Sequence, residues 1–308
     1  MVDEEHELTI IGAGPGGLSA VIYGERSGLE TIILEEKTAG GMAAEAPLVD
    51  NYPGLEEIKG VELMGRMKKH ARKYTEIREL HPVRKIEKGD SIFVETDEKT
   101  YATDALIIAT GTDHRKLNVP GEDSLEGKGV SYCATCDGYF FKNRSVLVVG
   151  GGNTALADAT YLLNLGCDVT LIHRRNELRA EKALQEGFLE GGGRVIWNSV
   201  LEGIEGDETV QKVRLRDLKE DTESKMEVDG VFVSIGEYPR SELASDIGVE
   251  LDDSGYIKTD EKQRTNIPRV YAAGDVTGGT KQIVVACAEG AIAALSAYED
   301  VRNPYWVK

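Results

Sequence analysis

Two hydrophobic patterns alternate along the chain. Leu8-Thr-Ile-Ile11, Thr31-Ile-Ile-Leu-Glu35, Ala105-Leu-Ile-Ile108, Ser145-Val-Leu-Val-Val149, Asp168-Val-Thr-Leu-Ile172 and Val231-Phe-Val-Ser234 are short, almost continuously apolar and rich in β-branched residues. Such runs suit parallel strands covered on both faces. Between them lie segments with helical apolar spacing: Leu18 to Tyr23, Gly60 to Tyr74, Asn153 to about Gly166, and Gln282 to about Tyr298. Strands alternating with helices predict an α/β fold with parallel sheets. Residues 82–103 alternate polar and apolar instead, which predicts a small antiparallel insertion, and residues 194–233 hold further short strands with a charged hairpin around Leu218 to Lys225.

Two of the strands run directly into glycine-rich turns. Gly12-Ala-Gly-Pro-Gly-Gly17 is G-x-G-x-x-G, and Gly150-Gly-Gly-Asn-Thr-Ala155 is G-x-G-x-x-A. In this turn the first glycine allows the bend, the second lets backbone approach a pyrophosphate, and the third small residue keeps helix and strand close. The two turns lead to strands with different ends. After the first, the second strand ends in Glu35, roughly twenty residues on, where a carboxylate binds ribose hydroxyls. After the second, the strand ends in His173, Arg174 and Arg175, with Arg179 beyond, and guanidinium groups there suit a ribose 2′-phosphate. A solvated basic face is the competing reading of those charges. The chain is thus expected to hold an adenosine diphosphate without a 2′-phosphate, as in FAD, in one fold and NADP(H) in the other.

Just ahead of the second fold stands Cys133-Ala-Thr-Cys-Asp137. Two intervening residues let both sulfurs meet at the start of a helical turn, and Asp137 could move a proton to or from a thiol formed when a disulfide opens. A lone C-x-x-C is also half of a zinc site. Structural zinc takes four ligands, and the remaining cysteines, Cys167 and Cys287, stand singly and far apart, so the pair reads as redox-active and no metal is expected.

Composition narrows the class further. The 308 residues suit two domains rather than one core, and 35 glycines exceed the usual ~7%. A formal net charge of −18 makes nucleic acid an unsuitable partner. Four cysteines are too few for a secreted disulfide framework, which points to a reducing cytoplasm. Met1-Val-Asp-Glu-Glu-His-Glu opens acidic, opposite to a secretory signal, and the long uncharged run Leu8 to Gly24 is broken by glycines and a proline. Arg269-Val-Tyr-Ala-Ala-Gly-Asp275 is a late strand with a Gly-Asp end, and with the last helix it is expected to rejoin the first domain. The predicted organisation is two Rossmann-like dinucleotide-binding domains of the three-layer ββα kind: FAD at 1–115 and 244–308, NADP at 116–243.

Taken together, Cys133-Ala-Thr-Cys-Asp-Gly138, Gly150 to Ala155, His173-Arg-Arg-Asn-Glu-Leu-Arg179, Gly12 to Gly17, Ala109-Thr-Gly111 and Gly274-Asp275 resemble the low-molecular-weight thioredoxin reductases over essentially the whole chain. The resemblance implies a dimeric FAD enzyme that passes electrons from NADPH through FAD and the Cys133/Cys136 disulfide to a thioredoxin-like or glutaredoxin-like protein. It implies that Cys136 is the sulfur nearest the flavin, Cys133 the one that attacks the partner, and Asp137 the acid–base residue. It places Gly12, Gly14, Pro15, Gly17, Glu35, Gly41, Met42, Asn51, Val83, Ala109, Thr110, Gly111, Gly274, Asp275, Lys281, Gln282 and Ile283 along FAD. Gly150, Gly152, Asn153, Thr154, Ala155, His173, Arg174, Arg175 and Arg179 fall to NADPH. Met42 stands where many members have glutamine and Lys281 where many have arginine. Alternatives are a flavin-dependent dithiol oxidase, a reductase fed by another hydride donor such as a deazaflavin, and a non-catalytic flavin-binding sensor. Alternating use of the flavin by nicotinamide and dithiol implies a swing of the inserted unit about residues 112–120 and 237–248.

Overall fold

The computed structural model describes residues 2–46, 49–89 and 91–303. The chain divides into two compact units, one of residues 2–45, 49–113 and 238–303, the other chiefly of residues 114–237.

The first unit opens with β1 (Glu4–Ile11), α1 (Pro15–Arg26) and β2 (Thr31–Leu34). It continues with α2 (Gly60–Ala71), β3 (Ile77–Arg78), β4 (Val83–Lys88), β5 (Ile92–Thr96), β6 (Thr100–Ile108) and β7 (Thr112–His114). The order β3-β2-β1-β6 is parallel, and β4, β5 and the first half of β6 form the antiparallel part that alternation predicts. β6 therefore changes neighbours half-way. Along the central strands successive residues serve opposite layers: Ile10, Ile33 and Ile107 join the core under α1, while Ile11, Ile32, Leu34 and Ile108 join Ile86, Ile92 and Val94 of the antiparallel layer. Apolar groups on both faces are why these strands carry no polar alternation.

The second unit begins with β8 (Val130–Ser131), the single-turn α3 (Ala134–Asp137), β9 (Ser145–Gly150), α4 (Asn153–Asn164), β10 (Asp168–Ile172), α5 (Lys182–Glu190) and β11 (Arg194–Ile196). β12 (Ser199–Glu205), β13 (Lys212–Asp217) and β14 (Thr222–Glu227) come next, then β15 (Gly230–Ser234). The sheet β11-β10-β9-β15-β8 is parallel throughout, and β12-β13-β14 is an antiparallel ribbon. Val146, Val148, Val169, Leu171 and Phe232 pack toward α4 and α5; Leu147, Val149, Ile172 and Val231 pack with Leu201, Ile204, Val213 and Leu215 of the ribbon. The same β, β, α layering is thus built twice.

The chain then returns through β16 (Glu237–Pro239), α6 (Glu242–Asp246), β17 (Val270–Ala272) and α7 (Ile283–Arg302). β16 pairs with β7, so the outgoing and returning connections run side by side. β17 takes the open side of β6, in parallel. α7 packs on α1 so closely that a Cβ on Gly290 would stand 2.0 Å from the Gly16 carbonyl oxygen. Both ends of the expected elements move outward: β1 starts at Glu4 rather than Leu8, and α7 runs to Arg302.

Candidate functional site

In the first unit the glycine turn is forced by backbone. Gly12 has φ +100, and a Cβ there would lie 2.3 Å from the Ala109 carbonyl oxygen; one on Gly17 would lie 1.8 Å from the Gly12 carbonyl oxygen. Gly14, by contrast, faces open space, with nothing within 4 Å of where its Cβ would be. Gly14 caps α1, Pro15 supplies the first-turn proline, and neither a capping side chain nor a first-turn acid covers the helix N–H groups. Uncapped N–H donors beside open space are what a pyrophosphate needs. Glu35 accepts from the Ala13 N–H at 2.6 Å and the Lys37 N–H at 2.9 Å, which ties the end of β2 to the turn. A carboxylate has about four acceptor sites, so room is left for a ribose diol. These residues fit FAD.

Other predicted FAD residues gather in the same unit. Asn51 Nδ2 donates to Gln282 Oε1 at 2.9 Å, and Gln282 leads into α7 at Ile283, where again no side chain caps the helix. Ala109 donates to the Ile11 carbonyl, Thr110 Oγ1 to the Arg240 carbonyl at 2.6 Å, and Thr112 Oγ1 reaches Met42 Sδ at 3.8 Å. Gly41 stands against Gly14, 3.2 Å from its Cα to the added Cβ, and Gly111 and Gly274 have φ +71 and +80. Lys281 donates to the Tyr256 hydroxyl at 2.8 Å and lies 4.8 Å over its ring. Val83 opens β4 and packs against the apolar core of the antiparallel layer. One residue here escapes the sequence reading: Glu289. Its carboxyl accepts from the Gly274 N–H at 2.7 Å and Thr277 at 3.3 Å, bracing the turn that carries Asp275, and burial pushes it above the usual carboxylate range. An acid alone in the apolar first half of α7 was the available signal.

The second unit repeats the arrangement. Gly152 caps α4 without a capping side chain and has open space at its Cβ position; a Cβ on Gly150 would meet Ala155 at 2.5 Å. Asn153 Oδ1 accepts from the Glu181 N–H, and Thr154 is exposed on the first turn. His173 is buried. Its Nδ1 donates to the Gly150 carbonyl at 2.7 Å, so it forms the floor of the turn, while Nε2 has no partner among the described residues. Arg174, Arg175 and Arg179 are exposed, and their guanidinium groups make no ion pair or hydrogen bond among the described residues. In a chain of net charge −18, three unpaired arginines beside an uncapped helix make a local anion site that fits the phosphates of NADPH.

The sulfur centre lies just beyond β8. Cys133 caps the single turn of α3, Cys136 lies within it, and the two are joined by a disulfide. Both are partly exposed. Asp137 is pushed above the usual carboxylate range by burial, an effect opposed by the Ser131 hydroxyl, which donates to Oδ2 at 2.6 Å. An acid held protonated more readily than usual is suited to proton transfer with a nearby thiol. Sequence reasoning missed Ser131, since nothing in its spacing announces the contact. No group of three or more His, Cys, Asp or Glu among the described residues is placed to hold a metal.

Two dinucleotide folds, one with a carboxylate and one with exposed arginines, plus a closed C-x-x-C pair, define an oxidoreductase that works on a disulfide. Comparison agrees: the family model for pyridine nucleotide-disulphide oxidoreductases matches residues 6–290, and the chain belongs to that family. It is 41% identical over 309 residues to a protein named thioredoxin reductase from Listeria monocytogenes, covering 98% of this chain and 97% of that one. The crystal structure of thioredoxin reductase from Streptococcus pyogenes matches with a TM-score of 0.90 at 37% identity, over 97% of this chain and 99% of that one. The thioredoxin reductase from Giardia duodenalis matches with a TM-score of 0.88 at 31% identity, over 97% and 100%. The protein is an FAD-dependent, NADPH-using oxidoreductase acting on a sulfur group.

Proposed function

We propose that this protein is a thioredoxin-disulfide reductase, carrying electrons from NADPH through FAD and the Cys133–Cys136 disulfide to the disulfide of a thioredoxin-like protein. The observation that carries the reading is the closed Cys133–Cys136 pair, set at the start of a unit whose nucleotide turn is flanked by three unpaired arginines. Relatives named thioredoxin reductase, at 41% identity over nearly the full chain, support it. FAD supplies the change from a hydride donor to thiol chemistry. Gly12, Gly14, Pro15, Gly17, Glu35, Asn51, Asp275 and Gln282 hold it, with Gly41, Met42, Ala109, Thr110, Gly111, Gly274, Lys281, Ile283 and Val83 around them. Arg174, Arg175 and Arg179 bind the 2′-phosphate, while Gly150, Gly152, Asn153, Thr154 and Ala155 present the helix end to the pyrophosphate over the His173 floor. Cys136 is the sulfur that meets the flavin, Cys133 attacks the partner disulfide, and Asp137 gives and takes the proton.

The NADP domain is taken as residues 114–237 and the FAD domain as the stretches on either side, which moves the return boundary from the expected 243/244, inside α6, to just ahead of residue 238. The setting is the cytoplasm, where free Cys167 and Cys287 stay reduced. No helix among the described residues is long and apolar enough to cross a membrane. A homodimer is supported by exposed Tyr23 on α1 and Val284, Ile292 and Leu295 on α7, two helices packed on each other. Anaerobic mixing with NADPH tests the route. The flavin should bleach and thioredoxin should turn over, whereas Cys133→Ser and Cys136→Ser should each keep FAD and its reduction by NADPH yet lose thioredoxin reduction. Turnover surviving in either variant would overturn the assignment.

A further inference from the structure

Ser131 ends β8 and is 5% exposed. Its Oγ lies 2.6 Å from Asp137 Oδ2, accepts from the Cys133 N–H at 3.1 Å, and stands 3.3 Å from the Cys133 carbonyl. A hydroxyl has one proton to give. The shorter contact takes it, so Ser131 donates to Asp137 while receiving from Cys133. One buried side chain thus holds the cysteine that opens the redox segment and the acid that closes it. Asp137 Oδ1 is buried with no partner, so Ser131 makes the only hydrogen bond to this carboxyl among the described residues.

We infer that Ser131 is a positioning residue for the disulfide step, fixing the Asp137 carboxyl by Oδ2 so that Oδ1 is left to exchange the proton. The inference rests on the proposed role of Asp137 as the acid–base residue. Opening the Cys133–Cys136 bond takes two electrons and, to yield two thiols, two protons. FAD, when bound, would supply the electrons in turnover; a small dithiol can supply them instead and become a disulfide. Asp137 gives one proton to a sulfur of the pair and is left as a carboxylate, which solvent reprotonates. The second proton comes from solvent or from the reductant. Ser131 stays a hydroxyl throughout and donates to the carboxylate once it forms. Without that donor the buried carboxylate has no hydrogen bond, and its charged form is harder to reach.

Among the described residues, nothing else in the neighbourhood substitutes for Ser131. α3 packs against α4 and the turn Gly138–Phe141. The ionisable groups there are Asp158, which accepts from Ser234 at 2.7 Å, Tyr161 and Tyr139, and none is bonded to Asp137 among the described residues. Burial raises the Asp137 pKa and only Ser131 opposes it.

The test tracks the opening of the Cys133–Cys136 disulfide by dithiothreitol against pH in the oxidised holoprotein, which needs neither NADPH nor thioredoxin. Ser131→Ala should move the controlling ionisation up by about one pH unit, equivalent to about 1.4 kcal/mol. Ser131→Thr, which keeps the hydroxyl, should return it. Asp137→Asn should remove that ionisation, and adding Ser131→Ala in that background should change nothing more. A Ser131→Ala profile that coincides with wild type, a Thr variant that tracks Ala, or an equal loss with and without Asp137 overturns the inference. Failure of wild-type protein to pass electrons from NADPH to thioredoxin is a separate outcome and overturns the proposed function instead.

Discussion

At the scale of residues, the proposed 2′-phosphate site turns on arginines. Among the described residues Arg174, Arg175 and Arg179 stay unpaired, whereas Arg78, Arg84, Arg194, Arg216 and Arg264 are all bonded to carboxylates. A charge-assisted contact of this kind is worth roughly 1.5–3 kcal/mol. Replacing Arg174 and Arg175 together by alanine should therefore raise KM for NADPH by at least about tenfold and leave that for NADH nearly unchanged. Steady-state kinetics with the two nucleotides checks it, and equal losses would count against the 2′-phosphate assignment. The place of these arginines just after β10 was legible because local spacing sets it: a turn, a helix, a strand and its end succeed one another in the chain. Ser131 and Glu289 were not. Their roles depend on which buried oxygen or N–H the fold brings alongside, at 6 and 15 residues' separation, and residue type alone does not say.

At the scale of elements, the boundaries show what the apolar pattern leaves out. Glu4 to Glu7 look like a solvated lead-in, yet they extend β1 alongside Tyr101 to Thr103 of β6. The extension holds because Glu4 is bonded to Arg78 of β3 at 2.8 Å and Lys99 at 2.6 Å, which draw its pKa down to about 2. A depressed carboxylate stabilises the fold above its unfolded value and loses that contribution as pH falls through the folded one. Glu4→Gln should lower Tm at pH 7, and the gap from wild type should close between about 4.5 and about 2, as thermal melts across that range would show. Helix α7 makes the opposite point, since its apolar run was plain while its contact was hidden. Gly290 is required by the Gly16 backbone, and Gly290→Ala should push α7 off α1 at a cost of roughly 1–3 kcal/mol. Loss of bound FAD on gel filtration, with a lower Tm, is the expected result.

For the whole molecule, two separate pairs of apolar layers imply two cooperative units. Calorimetry should resolve two transitions, and added FAD should raise one of them while added NADPH raises the other, because a ligand stabilises the unit that binds it. A single transition moved by both ligands would mean that the units melt together. The duplication was plain in the sequence, because each half carries its own strand, glycine turn and helix.

The late return of β17 and α7 also has a consequence for how the protein is made. Residues 114–237 are contiguous and hold nearly all of the second unit, whereas the first unit lacks β17 on the open side of β6 and the cover of α1 until its last stretch is synthesised. Chains emerge from the ribosome from their N-terminus, and domains fold as units. The inner unit should thus become protease-resistant on nascent chains stalled soon after residue 237 clears the exit tunnel. The outer one, begun first, should be completed last, its β6 edge left open to chaperones for the whole time that the inner one is being built.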